Sequence, residues 1–200
     1  WSLSLAKESA KNCKRGCLSQ QPLFLYNHSK LIRGSFMATK IFKRPDYISW
    51  DEYFMGVAHL ASFRSKDPNS QVGACIVNQD NKILSMGYNG FPRGCSDDEF
   101  PWAREGDTLE TKYAYVTHSE LNAILNYRGG SLEGCKMYVT LFPCNECAKA
   151  IIQSGIKTVV YAQNKYEGTP SVEASKKLMN AAGIRYYQYQ PTGKKLEINV

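Results

Sequence analysis

The chain has 200 residues, of which 43% are hydrophobic and 12% aromatic, enough for the core of one sizeable domain and too much for wholesale disorder. No run of about eighteen apolar residues occurs, which excludes a helix spanning a bilayer. The formal net charge of +7 is uneven: residues 1–36 carry +5 and the rest only +2, so the nearly neutral body weakens the case for a polyanion-binding surface.

Residues 1–44 read as a basic, disordered N-terminal extension ahead of a folded domain over 45–200. Its origin stays open between a transit-like segment, a native tail and sequence upstream of Met37. Cys13, Cys17 and His28 fall in this stretch and are read as free side chains. The folded part opens with Ser49-Trp50-Asp51-Glu52, which has capping-box spacing; Phe54, Val57, Leu60 and Ala61 then recur at helical intervals. A helix is predicted over about 49–65, ended by the turn Asp67-Pro68-Asn69. Val72–Val77 and Ile83–Tyr88 flank Asp80-Asn81-Lys82 as a β-hairpin. Residues 89–116 form a loop too long to be a mere connection, and loops of that length are usually functional or disordered.

His118–Arg128 is predicted as a helix with Leu121, Ile124 and Leu125 inward, closed by Gly129-Gly130. Met137–Phe142 reads as a strand broken by Pro143, Cys144–Ser154 as a helix stopped by Gly155, and Thr158–Ala162 as a strand. A helix capped by Thr169-Pro170 runs to Gly183; Ile184–Tyr189 is a strand and Lys195–Val200 a possible further one. A hairpin followed by alternating helices and strands predicts a three-layer α-β-α domain around a mixed sheet of about five strands.

The chemistry concentrates in His118-Ser119-Glu120 and Pro143-Cys144-Asn145-Glu146-Cys147. Cys144 and Cys147, at C-x2-C spacing near a helix start, put two sulfurs within reach of one ion, and His118 adds an imidazole. Three protein ligands without a fourth fit a catalytic Zn²⁺, which keeps a position for water; a structural zinc is closed by four. Glu120, two residues on, is placed to shuttle protons beside that position. His-x-Glu followed by Pro-Cys-x-x-Cys is the signature of zinc-dependent nucleobase deaminases. The remaining cysteines, Cys75, Cys95 and Cys135, read as small buried hydrophobes, and the seven together follow no disulfide framework. That usage suits a reducing compartment, the cytoplasm.

Four segments carry a wider resemblance: Arg64–Ala74, Gly87–Gly94, His118–Ala123 and Leu141–Cys147. On these the chain resembles the cytidine deaminase superfamily and, within it, the deoxycytidylate (dCMP) deaminases, over about residues 45–190. Ser119 stands where that family commonly has Ala, a small-for-small exchange expected to matter little. The resemblance implies hydrolysis of dCMP to dUMP and ammonia by attack of an activated water at C4, with Glu120 protonating N3 and then the departing amine. It also implies that Asn69 contacts the sugar, although an ordinary turn Asn after Pro68 reads the same way. Arg64 and Lys66 could meet the 5′-phosphate or simply form a solvated helix end. The Gly87–Gly94 loop, with Asn89 and Gly90, is assigned by the same resemblance to an allosteric site, activated by dCTP and inhibited by dTTP with Mg²⁺; an ordinary hairpin exit is the alternative. A homohexamer is implied, and neither a membrane nor a nucleic-acid partner. Competing readings are a tRNA adenosine deaminase-like enzyme, which the +2 body disfavours, and a catalytically dead zinc protein, in which Glu120 would have no purpose. Free-cytidine deaminases typically offer Cys where His118 stands.

Overall fold

In the computed structural model, which describes residues 41–199, the capping box expected at Ser49 is formed from both sides. The Ser49 N–H donates to Glu52 Oε2 at 2.6 Å and the Glu52 N–H to Ser49 Oγ at 3.2 Å, starting α1 (Trp50–Ser62). The helix ends three residues earlier than predicted, because Arg64 and Ser65 donate to carbonyls three residues back and tighten the last turn. Its inward stripe also differs: Phe54, Met55 and Ala58 are buried, whereas Leu60 is exposed. The small Ala58 lets α1 approach the sheet at Gly73, where a Cβ would overlap the Ala58 carbonyl.

The hairpin is β1 (Gly73–Val77) with β2 (Ile83–Tyr88), and Asn81 takes the positive φ of 60° that its turn requires. The remaining elements are α2 (Ser119–Asn126), β3 (Lys136–Leu141), α3 (Asn145–Gln153), β4 (Thr158–Gln163), α4 (Pro170–Ala181) and β5 (Arg185–Gln188). The sheet runs β2-β1-β3-β4-β5; β1 is antiparallel to both neighbours, and β3, β4 and β5 are mutually parallel. Alternation along the central strands sorts the core: Cys75, Val77, Tyr138 and Val160 face α1, while Ala74, Ile76, Val139 and Val159 face the layer of α2, α3 and α4. This is the expected three-layer α/β architecture.

Four further expectations are corrected. Residues 195–199 form no strand, since no strand among the described residues pairs with them. Tyr127 turns extended (ψ 123°) and stops α2 before Gly129-Gly130. Ala123 is the fully buried apolar residue of α2, and Leu125 is exposed, because α2 is pressed so closely on β2 that only a small side chain fits beneath it. Cys95 is only half-buried, unlike Cys75 and Cys135. Gly155 (φ 84°) and Gly183 (φ 67°) stop helices as expected. The predicted extension, with Cys13, Cys17 and His28, lies outside the described residues except for its last few, and those have no helix or strand. Among the described residues no helix is long and apolar enough to cross a membrane.

Gly87 on β2 sets the seat of α2. A Cβ there would overlap the Ser119 carbonyl and the Ala123 amide nitrogen, both backbone atoms that cannot swing away. Gly87→Ala is therefore expected to push α2 off the sheet and to cost about 1–3 kcal/mol of stability. Urea denaturation would check it, and a variant of unchanged midpoint would show that α2 has slack.

Candidate active site

The first turns of α2 and α3 meet at one end of the sheet. His118 and Cys144 are not the first residues of their helices but the N-caps (ψ 157° and 171°). The His118 side chain makes no capping bond to α2, and it turns toward the Cys144 sulfur at the start of α3. His118 Nδ1 lies 3.4 Å from Cys144 Sγ and 3.4 Å from Cys147 Sγ, and all three donor atoms fall within 4.8 Å of one another. Zn–N and Zn–S bonds of tetrahedral length put nitrogen and sulfur ligands about 3.5 Å apart, so the donor set fits a zinc ion by both chemistry and spacing. The sulfurs are already unequal. The Cys147 thiol, hydrogen-bonded to Cys144, pulls the Cys144 pKa down to about 4, while its partnership with Cys144 and burial push Cys147 up. The bond to Cys144 raises His118 to about 9. Proton and charge shared over three such groups suit a site built around a cation.

Glu120, on the first turn of α2, is buried, and desolvation raises its pKa even against the opposing effect of His118. It therefore holds a proton more readily than an ordinary carboxylate. The exchange expected to be neutral is not idle here. Ser119, fully buried, donates its hydroxyl to Glu120 Oε2 at 2.8 Å, leaving the other oxygen uncommitted to Ser119. No signal in the residue types predicted that bond; it depends on the rotamer.

His118, Glu120 and Cys144 line a cavity of about 420 Å³, in the range of small-molecule sites. Val72, Leu141, Phe142 and Val172 give it apolar walls. One wall is polar, and sequence reasoning missed it. Asp67 and Lys112 form a buried ion pair with side-chain exposures of 1% and 7%. The Asp67 carboxylate also accepts from the N–H groups of Asn69 (2.8 Å) and Ser70 (3.1 Å) and from Asn89 Nδ2 (3.3 Å). A lone lysine in a long loop gives no signal in the sequence.

The remaining predicted residues are distributed unevenly. Asn69 is exposed; its backbone serves the Asp67 turn and its side chain does not line the cavity. Arg64 and Lys66 are exposed and also outside the lining, and Lys66 pairs with Asp97. Asn89, assigned to an effector site, lies in the wall of this same cavity, where its side chain accepts from the Val72 N–H (2.8 Å) and donates to the Ser70 carbonyl (2.9 Å). Gly90 exchanges two backbone hydrogen bonds with Thr117, the residue before His118. His59 belongs to α1, as expected.

A three-layer α/β fold with an imidazole, two thiols and a buried acid converging at its helix starts defines the class of hydrolytic nucleobase deaminases with a zinc-binding site. Comparison narrows the class. The profile of the cytidine and deoxycytidylate deaminase zinc-binding region matches residues 48–163. The deoxycytidylate deaminase of Homo sapiens is 55% identical over 158 residues, covering 78% of this chain and 89% of its own, and a probable deoxycytidylate deaminase of Drosophila melanogaster is 52% identical over 163 residues, covering 78% and 80%. Among solved structures, the dCMP deaminase of the cyanophage S-TIM5 in complex with dCMP and dUMP superposes with a TM-score of 0.56 at 29% identity, over 69% of this chain and 95% of its own. The chain belongs to the cytidine and deoxycytidylate deaminase family.

Proposed function

We propose that the protein hydrolyses dCMP to dUMP and ammonia, supplying dUMP for thymidylate synthesis, through the domain at 45–200. The observation that carries this reading is a protonatable buried acid, Glu120, in the same cavity as a His/Cys/Cys donor set. Relatives named for this activity, at 52–55% identity, and a related structure with dCMP and dUMP bound support the choice of substrate.

His118, Cys144 and Cys147 would hold the zinc, whose Lewis acidity makes water a competent nucleophile near neutral pH. Glu120 takes the proton that the attacking water gives up and delivers it to ring N3, and carries a second to the amine nitrogen as the C4–N bond breaks. Its raised pKa suits it to both roles, and Ser119 fixes which oxygen is turned away from the transfer. The apolar walls lower the local dielectric and strengthen every charge interaction inside. Family resemblance is the support for the rest of the proposal: activation by dCTP and inhibition by dTTP with Mg²⁺ near Asn89 and Gly90, a homohexamer, and a cytoplasmic setting.

Purified protein should release ammonia from dCMP, lose that activity on treatment with a zinc chelator and regain it with added Zn²⁺. Equal activity before and after verified zinc removal would overturn the metal assignment. Faster turnover of an RNA stem-loop than of dCMP would favour the RNA-deaminase reading instead.

A further inference from the structure

The cavity has two cations in its lining besides the His118 imidazole, and only one is available to a ligand. Lys112 is buried and neutralised by Asp67. Arg104, in the same long loop, is exposed and has no carboxylate within ion-pair distance among the described residues. Its Nε donates to the Tyr113 hydroxyl at 3.2 Å, which aims the guanidinium and leaves its other N–H groups unassigned. Tyr113 and Tyr166 line the same cavity as Arg104, which puts two phenol side chains in the wall that carries the guanidinium. Tyr113 comes from the 89–116 loop and Tyr166 from the β4–α4 connection, so two separate segments converge here.

Three further features suit this cluster to a dianion. Thr169 and Ser171, at the start of the twelve-residue α4, line the same cavity, and a helix start favours negative charge. Arg104, Tyr113 and Tyr166 are all exposed, whereas Ser119 and Glu120 are buried, so the cluster lies on the solvent-facing part of the cavity wall and the acid on an inner part. Finally, an arginine fork matches a phosphate in a bidentate way that a lysine cannot.

We propose that Arg104, with the Tyr113 and Tyr166 hydroxyls, grips the 5′-phosphate of the substrate and sets the preference for nucleotide over nucleoside. The inference rests on the dCMP reading above, and it moves phosphate recognition from Arg64 and Lys66 to a residue in the cavity wall. Arg104 bonds to Tyr113 and takes no part in the chemistry at Glu120; it is a specificity-determining residue.

The test compares kcat/KM for dCMP and for deoxycytidine in the full-length wild type and in Arg104→Ala, Arg104→Lys, Tyr166→Phe, Arg64→Ala and Lys66→Ala. Arg104→Ala should lose roughly 10- to 100-fold on dCMP, the range for a hydrogen-bonded charged group, mainly through KM. Its loss on deoxycytidine should be no more than a few-fold, so the ratio of the two collapses. Arg104→Lys should fall between, keeping charge without the fork. Equal losses on both substrates would mean a structural role and overturn the proposal, as would a preserved dCMP preference in Arg104→Ala or its loss in Arg64→Ala or Lys66→Ala instead. A wild type that turns over deoxycytidine as fast as dCMP, or does not act on dCMP, refutes the substrate reading itself and this inference with it.

Discussion

Glu120→Gln is expected to lower turnover of dCMP by roughly a thousandfold or more, toward the upper part of the range for loss of a general acid–base. Gln has the same length, and its amide oxygen can still accept the Ser119 hydroxyl, so the start of α2 should stay in place. What Gln lacks is a proton it can give and take. Zinc content measured by elemental analysis should match the wild type, because the donor set is His118, Cys144 and Cys147. Glu120→Asp keeps the acid but draws it back by one methylene, and an intermediate loss is expected. A Gln variant with more than a tenth of wild-type turnover would remove Glu120 from the chemistry.

The largest effect on stability is expected at Asp67. Its carboxylate joins the turn after α1, Asn89 at the end of β2 and Lys112 in the long loop, and it is 1% exposed. Asp67→Ala leaves the Lys112 ammonium buried without a partner and releases three N–H donors. Removing one member of such a pair costs about 3–5 kcal/mol, readable as a shift in the urea midpoint. Pairing the change with Lys112→Met takes the stranded charge away and should recover part of that loss. If the double variant is no more stable than Asp67→Ala, the cost lies in the turn hydrogen bonds and not in the ion pair.

The sequence carried the layer order, because each strand and helix has its own local signals: the capping box at Ser49, Thr169-Pro170, and the stops at Gly155 and Gly183. It also carried the three donor residues that converge, His118, Cys144 and Cys147, since C-x2-C and His-x-Glu each fall within one helical turn. What it could not carry was set by tertiary approach. Leu125 fits an inward position by periodicity, yet the tight seat of α2 on Gly87 admits Ala123 there instead. The Asp67–Lys112 pair spans 45 positions and has no local pattern at all. Arg104 was passed over for the same reason: only the folded loop brings it to the cavity that holds Glu120.

The loop at 89–116 is consequently not an exchangeable module. It supplies Arg104, Lys112 and Tyr113 to the cavity, but its anchor, Asp67, belongs to another part of the chain. A chimera that imports this loop from a deaminase of different substrate range, without the residue that stands at position 67 in the donor, would strand a charge in the interior. Altering selectivity in this scaffold by changes at position 112 thus calls for a coordinated change at position 67, far away in the chain.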